Sequence, residues 1–228
     1  MDKKITIAID GFSSTGKSTL AKQLAKQLGY VYVDTGAMYR AIAYFSMQNN
    51  YIKTDFLDKE ALIKSLPNIR LQFQFNADLG FAEMYLNGEN VEKQIRTIEV
   101  SNFVSKVAEI PEVRTKLVEQ QQQMGKNKGV VMDGRDIGTV VFPDAELKIF
   151  MTASAQTRAQ RRFDELIQKG DSVTFEEVLQ NVEERDYIDT HRSNSPLVKA
   201  DDAVEVDNSD LTREEQFDLV LNLVKQKS

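Results

Sequence analysis

Short apolar runs alternate along the chain with segments in which apolar residues recur every three or four positions. The runs that predict strands lie at residues 5–9, 30–33, 129–132, 147–151 and 203–206. After the first run, Leu20, Leu24 and Leu28 have the spacing of a helix that packs one face on a sheet. Strands that are joined by crossover helices form parallel sheets. We therefore expect an α/β fold with a five-stranded, doubly wound parallel sheet.

Local signals predict where several helices begin and end. Gly29 suits the left-handed residue that follows a helix, so the first helix should end at Leu28. Thr174 and Glu177 have the spacing of a capping box, and so do Thr212 and Glu215. These two pairs predict the start of two further helices, the second of them at the end of the chain.

Two polar segments also favour helices. We expect one helix over Asp55 to Leu66, which Pro67 would end. Four glutamines at 120–123 lie in another predicted helix, and we interpret them as a solvated face.

A different periodicity marks the segment after residue 68. Apolar and polar residues alternate from Ile69 to Asn76, which is typical of a half-exposed strand, and Phe81 to Leu86 is a second such run. Asn87-Gly88 then supplies a hairpin turn. A small antiparallel sheet within a parallel fold predicts an inserted subdomain at about 65–95.

Composition narrows the class of protein. With 228 residues, the chain can bury one substantial core and carry a small insertion. The net charge of −6 argues against a general binder of nucleic acids or of anionic membranes. The sequence has no cysteine, no signal-peptide pattern and no apolar run long enough to span a membrane. We therefore expect a soluble cytoplasmic protein.

The most informative motif lies between the first predicted strand and the first predicted helix. Residues 11–18 fit the phosphate-binding pattern G-x-x-x-x-G-K-S/T. Gly11 and Gly16 allow successive backbone N–H groups to point inward at an anion, and the helix N-terminus adds partial positive charge. Lys17 would reach the β- and γ-phosphates of a nucleotide, and the hydroxyl of Ser18 could ligate Mg²⁺.

Arginines form a second pattern. Of the eleven in the chain, Arg158, Arg161 and Arg162 share one face of a predicted helix. Arg185, Asp189 and Arg192 would share a face if their helix continues that far. For any single arginine, an exposed ion pair with Glu165 or Glu184 is an equally good interpretation. As a set beside a phosphate loop, they indicate a clamp over a polyphosphate.

The chemistry of the acceptor follows from the same residues. A kinase that acts on a hydroxyl needs a base, whereas a nucleotide phosphate, with a second pKa of about 6, is already anionic at neutral pH. Catalysis then depends on positioning and charge stabilisation, which arginines supply. We interpret His191, the single histidine, as a neighbour of Arg192 and not as a proton shuttle.

Four segments together resemble the bacterial cytidylate kinases, which make CDP from CMP and ATP. They are IDGFSSTGKSTL, DTGAMYRA, VVMDGRDIGTVVFPDA and RAQRRFDEL. The resemblance covers nearly the whole chain, and the third segment is its most specific part. Phe12 departs from the proline that is commonest in the family. The resemblance implies a P-loop kinase fold with a nucleoside-monophosphate-binding insertion at about 35–110 and a short helical lid at about 155–190.

The resemblance also implies site residues. For ATP they are Gly11, Phe12, Ser13, Ser14, Thr15, Gly16, Lys17, Ser18, Thr19 and Arg161. For CMP, Thr35, Arg40 and Arg135 would bind the phosphate, Ser105, Arg114 and Asp136 the cytosine, and Arg185, Asp189 and Arg192 the ribose and phosphates. The residues expected to act in catalysis are Lys17, Arg135, Arg158, Arg162 and Arg185.

The resemblance further implies the cofactor and the partners. We expect Mg²⁺, with Ser18 as its protein ligand, and the small-molecule substrates ATP and CMP or dCMP. We expect a monomer in pyrimidine nucleotide metabolism that binds neither nucleic acid nor membrane.

Two other functions stay open at this point. A kinase of the same fold could act on a metabolite hydroxyl, which would require a carboxylate base beside the acceptor. A phosphate-loop switch or ATPase could instead work through a partner. Against the latter, the chain lacks a long switch segment, and the strand at Val131-Met132-Asp133 ends in one acid and not in a pair.

Overall fold

The computed structural model describes residues 4–53 and 56–227. The chain divides into two compact units. The first unit extends up to Val33 and resumes at Gly125, and the second is Asp34–Met124. Each unit has its own hydrophobic core.

The described residues form these strands and helices. The strands are β1 Thr6–Gly11, β2 Val31–Asp34, β3 Ile52–Lys53, β4 Phe56–Leu57, β5 Leu71–Asn76, β6 Phe81–Leu86, β7 Glu89–Asn90, β8 Val130–Asp133, β9 Leu147–Thr152 and β10 Val204–Asp207. The helices are α1 Lys17–Leu28, α2 Thr35–Gln48, α3 Lys59–Ser65, α4 Ile98–Ala108, α5 Pro111–Gly125, α6 Ala155–Gln168, α7 Phe175–His191 and α8 Arg213–Lys225.

The first unit is built on a five-stranded sheet with the order β10-β9-β1-β8-β2. The pairs β1–β8, β1–β9 and β9–β10 are parallel. β1 lies at the centre and is buried along its whole length, as its run of β-branched residues predicts. Ile9 lies opposite Asp133, and Gly11 lies opposite Met151. The carboxyl ends of these strands therefore meet at one edge of the sheet, where α/β folds bind ligands.

Helices cover this sheet with their apolar faces. Leu20 and Leu24 of α1 and Val220 and Val224 of α8 are buried in the same core. Gly29 adopts the left-handed conformation after α1, as predicted. Both predicted capping boxes are present, at Thr174 before α7 and at Thr212 before α8. The expected fold class is thus confirmed.

The second unit packs around α2, whose Met38 and Ile42 are fully buried. α4 and α5 contribute buried residues to the same core, among them Val104 and Leu117. β5, β6 and β7 form a separate antiparallel sheet, and Asn87-Gly88 makes its predicted turn with positive φ at both residues.

Two expectations about this unit need correction. The helix expected to begin at Asp55 begins at Lys59, because the side chain of Asp58 caps it and Phe56–Leu57 pairs with Ile52–Lys53 as a short hairpin. Asp55 itself lies outside the described residues. The glutamines at 120–123 are not all solvated, since Gln121 is buried and Gln120 donates to the carbonyl of Leu71.

Candidate active site

The phosphate-binding loop takes the backbone path that its glycines permit. Gly11 has a φ of 137°, and a Cβ there would lie 2.0 Å from the carbonyl oxygen of Met151 on the neighbouring strand. Gly16 has a φ of 87° and precedes the first turn of α1, which contains Lys17, Ser18 and Thr19. The loop therefore ends at a helix N-terminus, where backbone N–H groups favour an anion.

Lys17 is buried within this loop. Its Nζ donates to the carbonyl of Phe12 and to the hydroxyl of Thr15, the latter at 3.2 Å. Burial, followed by the nearby Arg135 guanidinium, holds the pKa of Lys17 well below its usual range, against the attraction of Asp133 and Asp10. A bound phosphate would offset both unfavourable effects, because it brings negative charge to a buried cation.

Ser18 contacts an acid that sequence reasoning did not include in the site. Its hydroxyl donates to Asp133 Oδ2 at 2.9 Å, and the hydroxyl of Tyr32 donates to Asp133 Oδ1 at 2.9 Å. Asp133 is the last residue of β8 and is buried. A hydroxyl and a carboxylate at this distance form an oxygen-rich pair beside the phosphate loop. The sequence had identified Asp133 only as the single acid that ends its strand, and a strand end lies at the ligand-binding edge of such a sheet.

Asp10, also missed from the sequence, joins the phosphate loop to the segment after β8. Its two carboxylate oxygens accept from the backbone N–H groups of Ile137 at 2.8 Å and Gly138 at 2.7 Å. These residues open a π-helical turn, Ile137–Val141, directly after Arg135 and Asp136. Burial raises the pKa of Asp10 to about 7, although the two backbone hydrogen bonds oppose the shift. Asp136 is buried as well.

Asp189 on α7 interacts with three arginines of this unit. Arg135 Nε donates to its Oδ2 at 2.8 Å, and Arg192 Nη1 lies 3.6 Å from its Oδ1. Burial would raise the pKa of Asp189, but the attraction of Arg135, Arg192 and Arg185 outweighs burial and lowers it. α7 ends at His191, and Arg192 is its C-cap, whose N–H still donates to the carbonyl of Ile188. Arg185 and Arg192 therefore both act on Asp189 from the same helix, as the sequence pattern predicted.

The three arginines of α6 have different environments. Arg158 is buried, forms two hydrogen bonds with Asp186 at 3.1 and 2.6 Å, and donates to the carbonyl of Ser13 in the phosphate loop at 3.3 Å. Its guanidinium also lies 5.1 Å from the ring centre of Phe12. Arg162 is paired with Glu165 at 3.0 Å, which is the ordinary ion pair that the sequence left open.

Arg161 is connected to the phosphate loop through Asn208. It donates to the side-chain and backbone oxygens of Asn208 at 3.1 and 2.8 Å. Asn208 in turn donates to the carbonyl of Thr15 at 2.6 Å and contacts Gln216. This buried asparagine, which follows β10, had no signal in the sequence.

In the second unit, Asp34 and Arg40 form the start of α2 together with Thr35. Asp34 caps the helix and accepts from Arg40 at 3.0 Å and from Arg96 at 2.8 Å. Burial would raise the pKa of Asp34, but the two arginines outweigh it and lower the pKa strongly. Arg96, which sequence reasoning missed, also pairs with Glu92.

The residues expected to contact cytosine belong to both units. Ser105 and Arg114 are buried in the second unit, where Arg114 donates to the carbonyl of Ala108 at 3.1 Å and lies 5.5 Å from the ring centre of Tyr39. Asp136 belongs to the first unit.

Residues 4–53 and 56–227 lack two kinds of feature, a cluster of metal-binding side chains and a membrane-spanning helix. No group of three or more acidic or histidine side chains within this part of the chain could hold a metal ion. No helix of the described residues is both long and apolar enough to cross a membrane.

The parallel sheet and the phosphate loop define a nucleotide-binding protein of the P-loop class. The family model described as cytidylate kinase matches residues 7–226. The cytidylate kinase of Flavobacterium johnsoniae is 80% identical over 97% of this chain and 96% of its own length. That of Bacteroides thetaiotaomicron is 58% identical over 94% of this chain and 93% of its own length. The chain therefore belongs to the cytidylate kinase family, and the resemblance inferred from its sequence is confirmed.

Among solved structures, an uncharacterized protein from Eubacterium ventriosum matches 98% of this chain and 99% of its own, with a TM-score of 0.51 and 11% identity. At this identity the match concerns the fold alone.

Proposed function

We propose that this protein transfers the γ-phosphoryl group of ATP to CMP or dCMP, giving the nucleoside diphosphate and ADP. The observation that carries the proposal is the phosphate loop closed around buried Lys17, with Arg135 and the Ser18–Asp133 pair beside it. Membership of the cytidylate kinase family supports the choice of acceptor.

Binding of ATP is assigned to the phosphate loop and to Arg161. The backbone N–H groups of the loop and the N-terminus of α1 offer donors to the β- and γ-phosphates. Lys17 neutralises charge that develops during transfer. Asn208 supports this assignment, because it joins Arg161 to the loop carbonyl of Thr15.

A magnesium ion is assigned to Ser18 and Asp133, which extends the sequence expectation by one ligand. Mg²⁺ prefers oxygen ligands and is commonly bound by one or two carboxylates together with substrate phosphates. The chemistry of this donor pair fits that preference. When bound, the ion would neutralise phosphate charge.

Binding of CMP is assigned to two groups of residues. In the second unit these are Thr35 and Arg40 for the phosphate, and Ser105 and Arg114 for the base. In the first unit they are Arg135, Asp136, Arg185, Asp189 and Arg192, in the roles expected from the sequence. We add Arg96 to the phosphate group, since it shares the carboxylate of Asp34 with Arg40. An acceptor phosphate needs no base, so these groups orient it and stabilise charge.

The insertion at about 35–110 and the lid at about 155–190 complete the proposal. The first would carry the nucleoside monophosphate, and the second, with Arg158 and Arg162, would exclude water during transfer. We also propose that the protein acts in the cytoplasm as a monomer, without nucleic acid or membrane partners.

A coupled assay of ADP formation tests the function. With ATP and Mg²⁺ fixed, we expect rapid turnover with CMP and dCMP, weaker turnover with UMP, and little hydrolysis without an acceptor. Small metabolites with free hydroxyl groups serve as control acceptors. Turnover with a hydroxyl acceptor but not with CMP, or ATP hydrolysis that no nucleotide accelerates, would contradict the proposal.

A further inference from the structure

Tyr32 holds the side of Asp133 that Ser18 does not contact. The tyrosine lies on β2, at the edge of the sheet next to β8, which ends in Asp133. Its hydroxyl donates to Oδ1 at 2.9 Å, while the hydroxyl of Ser18 donates to Oδ2 at 2.9 Å. Each carboxylate oxygen therefore accepts one hydroxyl, and the two hydroxyls together fix the rotation of the carboxylate.

The ring of Tyr32 is itself held in place. It is half-buried against the core of the first unit, and Lys22 Nζ lies 5.7 Å from its ring centre. The donor is thus attached to a strand of the sheet and not to a loop. A hydroxyl fixed in this way can orient a carboxylate without loss of side-chain freedom at the time of ligand binding.

The hydroxyls of Ser18 and Tyr32 differ in their other proposed roles. Ser18 lies in the phosphate loop, and its oxygen is assigned to the metal, so its bond to Asp133 competes with that role. Tyr32 belongs to no nucleotide-binding motif. When Ser18 turns to a metal–nucleotide complex, the hydrogen bond from Tyr32 can still orient Asp133.

We propose that Tyr32 is a positioning residue that aligns Asp133 for the metal ion of the nucleotide complex. The inference rests on the proposed function, since it takes Ser18 and Asp133 as the metal-binding pair. Hydrogen-bond partners of metal ligands typically change metal affinity or activity by roughly 10–100-fold when they are removed. For a single neutral hydroxyl we expect the lower end of that range.

Tyr32→Phe is the informative variant, because it removes the hydroxyl and keeps the ring. Tyr30→Phe is a matched control: Tyr30 is half-buried against the same core, and its hydroxyl accepts from the backbone N–H of Ile5 at 3.1 Å. The probe is Mn²⁺, whose binding to the enzyme–ADP complex is measured by electron paramagnetic resonance. ADP affinity in the presence of a chelator is measured in parallel.

We expect Y32F to weaken Mn²⁺ binding about tenfold, with unchanged ADP affinity in the chelator and an unchanged KM for CMP. Y30F should match the wild type in all three. Mn²⁺ binding by Y32F that equals the wild type, or an equal loss in Y30F, would overturn the inference.

Asp133→Asn tests the metal assignment separately from the role of Tyr32. If D133N binds Mn²⁺ normally, the metal assignment fails and the role of Tyr32 fails with it. If the wild type shows no activity on CMP while Y32F still loses Mn²⁺, the proposed function fails and the positioning role stands.

Discussion

Lys17 is a buried side chain whose positive charge should be stabilised only when a phosphate binds beside it. Burial and Arg135 both disfavour its charge in the free protein. Lys17→Met keeps much of the side-chain volume and removes the charge, so we expect a stability at least equal to that of the wild type. Loss of one charge-stabilising donor should lower kcat by roughly 10²–10³-fold. Thermal unfolding and the coupled assay measure the two effects.

Lys26→Met, in the last turn of the same helix, is the control for that experiment, because Lys26 is exposed. It should leave kcat unchanged. A K17M enzyme with an unchanged melting temperature and nearly normal kcat would refute the assignment of Lys17.

Asp136 is the residue on which base selectivity is proposed to depend. Its carboxylate would accept from the N4 amine of cytosine, where uracil has a carbonyl acceptor instead. Asp136→Asn can offer the uracil carbonyl an N–H donor. We expect it to narrow the ratio of CMP to UMP activity, mainly through loss of CMP activity. A lost buried pairing of this kind costs roughly 1–3 kcal/mol, or about one to two decades in kcat/KM.

Asp136→Ala is the companion variant. It should lower CMP turnover without improving UMP turnover, because alanine offers no donor to either base. The measurement is kcat/KM for both nucleotides on the wild type and both variants. An unchanged ratio in both variants would mean that Asp136 does not contact the base.

For individual residues, the sequence identified those of the phosphate loop and its motifs better than it identified the side chains that hydrogen-bond to them. The motif and the resemblance named Ser18, Arg161 and Asp136 directly. Asp10, Tyr32 and Asn208 were missed because they act through contacts with residues far along the chain, such as Asn208 with Thr15. No periodicity or spacing encodes such a pairing. It arises only when the strand ends meet at one edge of the sheet.

Among the elements, the link between β1 and the π-helical turn after β8 has a pH-dependent consequence. Burial raises the pKa of Asp10 to about 7, whereas an aspartate in the unfolded chain has a pKa near 3.9. Between these values the folded protein keeps a proton that the unfolded chain has released. The contribution of Asp10 to stability therefore falls as pH rises through this window.

Asp10→Asn removes this titration and serves as the reference. We expect the wild-type free energy of unfolding, taken relative to D10N, to decrease from about pH 4 to about pH 7, by at most about 1.4 kcal/mol per pH unit. Urea unfolding of the substrate-free protein at several pH values measures it. Asp144→Asn, at an exposed position, is the control. A constant difference between wild type and D10N across this range would show that Asp10 does not titrate there.

Helix ends were predictable where the signal is local and failed where it is not. The capping boxes at Thr174 and Thr212 involve residues three positions apart, and both are present. The predicted start of α3 was wrong because Phe56 and Leu57 pair with the strand Ile52–Lys53. Helical spacing alone does not reveal this pairing. Gln121 was assigned to solvent on composition, whereas its helix turns it into the core of the second unit, where it lies 3.8 Å from Met38 Sδ.

At the scale of the whole molecule, the parallel sheet was predictable because alternating strands and helices allow few topologies. The family was inferred from the four segments that resemble the cytidylate kinases, and not from this alternation. The alternating strands alone predicted an insertion at about 65–95, whereas the resemblance implied one at about 35–110. The second unit is Asp34–Met124, and its core draws on residues from Ala37 to Leu117. Alternation identifies the small sheet, but only packing shows that α2, α4 and α5 belong to the same core.

Closure of the α6–α7 segment is the remaining prediction at this scale. Arg158 joins the two helices through Asp186 and contacts the phosphate loop through Ser13, so α6 and α7 should respond together when the loop is filled. A bisubstrate analogue, two nucleosides joined through a polyphosphate, supplies the charge that these arginines are proposed to bind. We expect it to slow amide hydrogen exchange across residues 155–191, including the connection at 169–174.

The turn at 77–80, between β5 and β6, carries none of the proposed ligand-binding residues and is the internal reference. Its exchange should not change, whereas ADP alone should protect α6–α7 less than the analogue, because it lacks the acceptor half. Equal exchange of α6–α7 with and without the analogue would mean that Arg158 and Arg162 serve the stability of the first unit and that no lid closes. A change of the same size in the turn at 77–80 would indicate general stabilisation by binding, which is equally incompatible with a local closure.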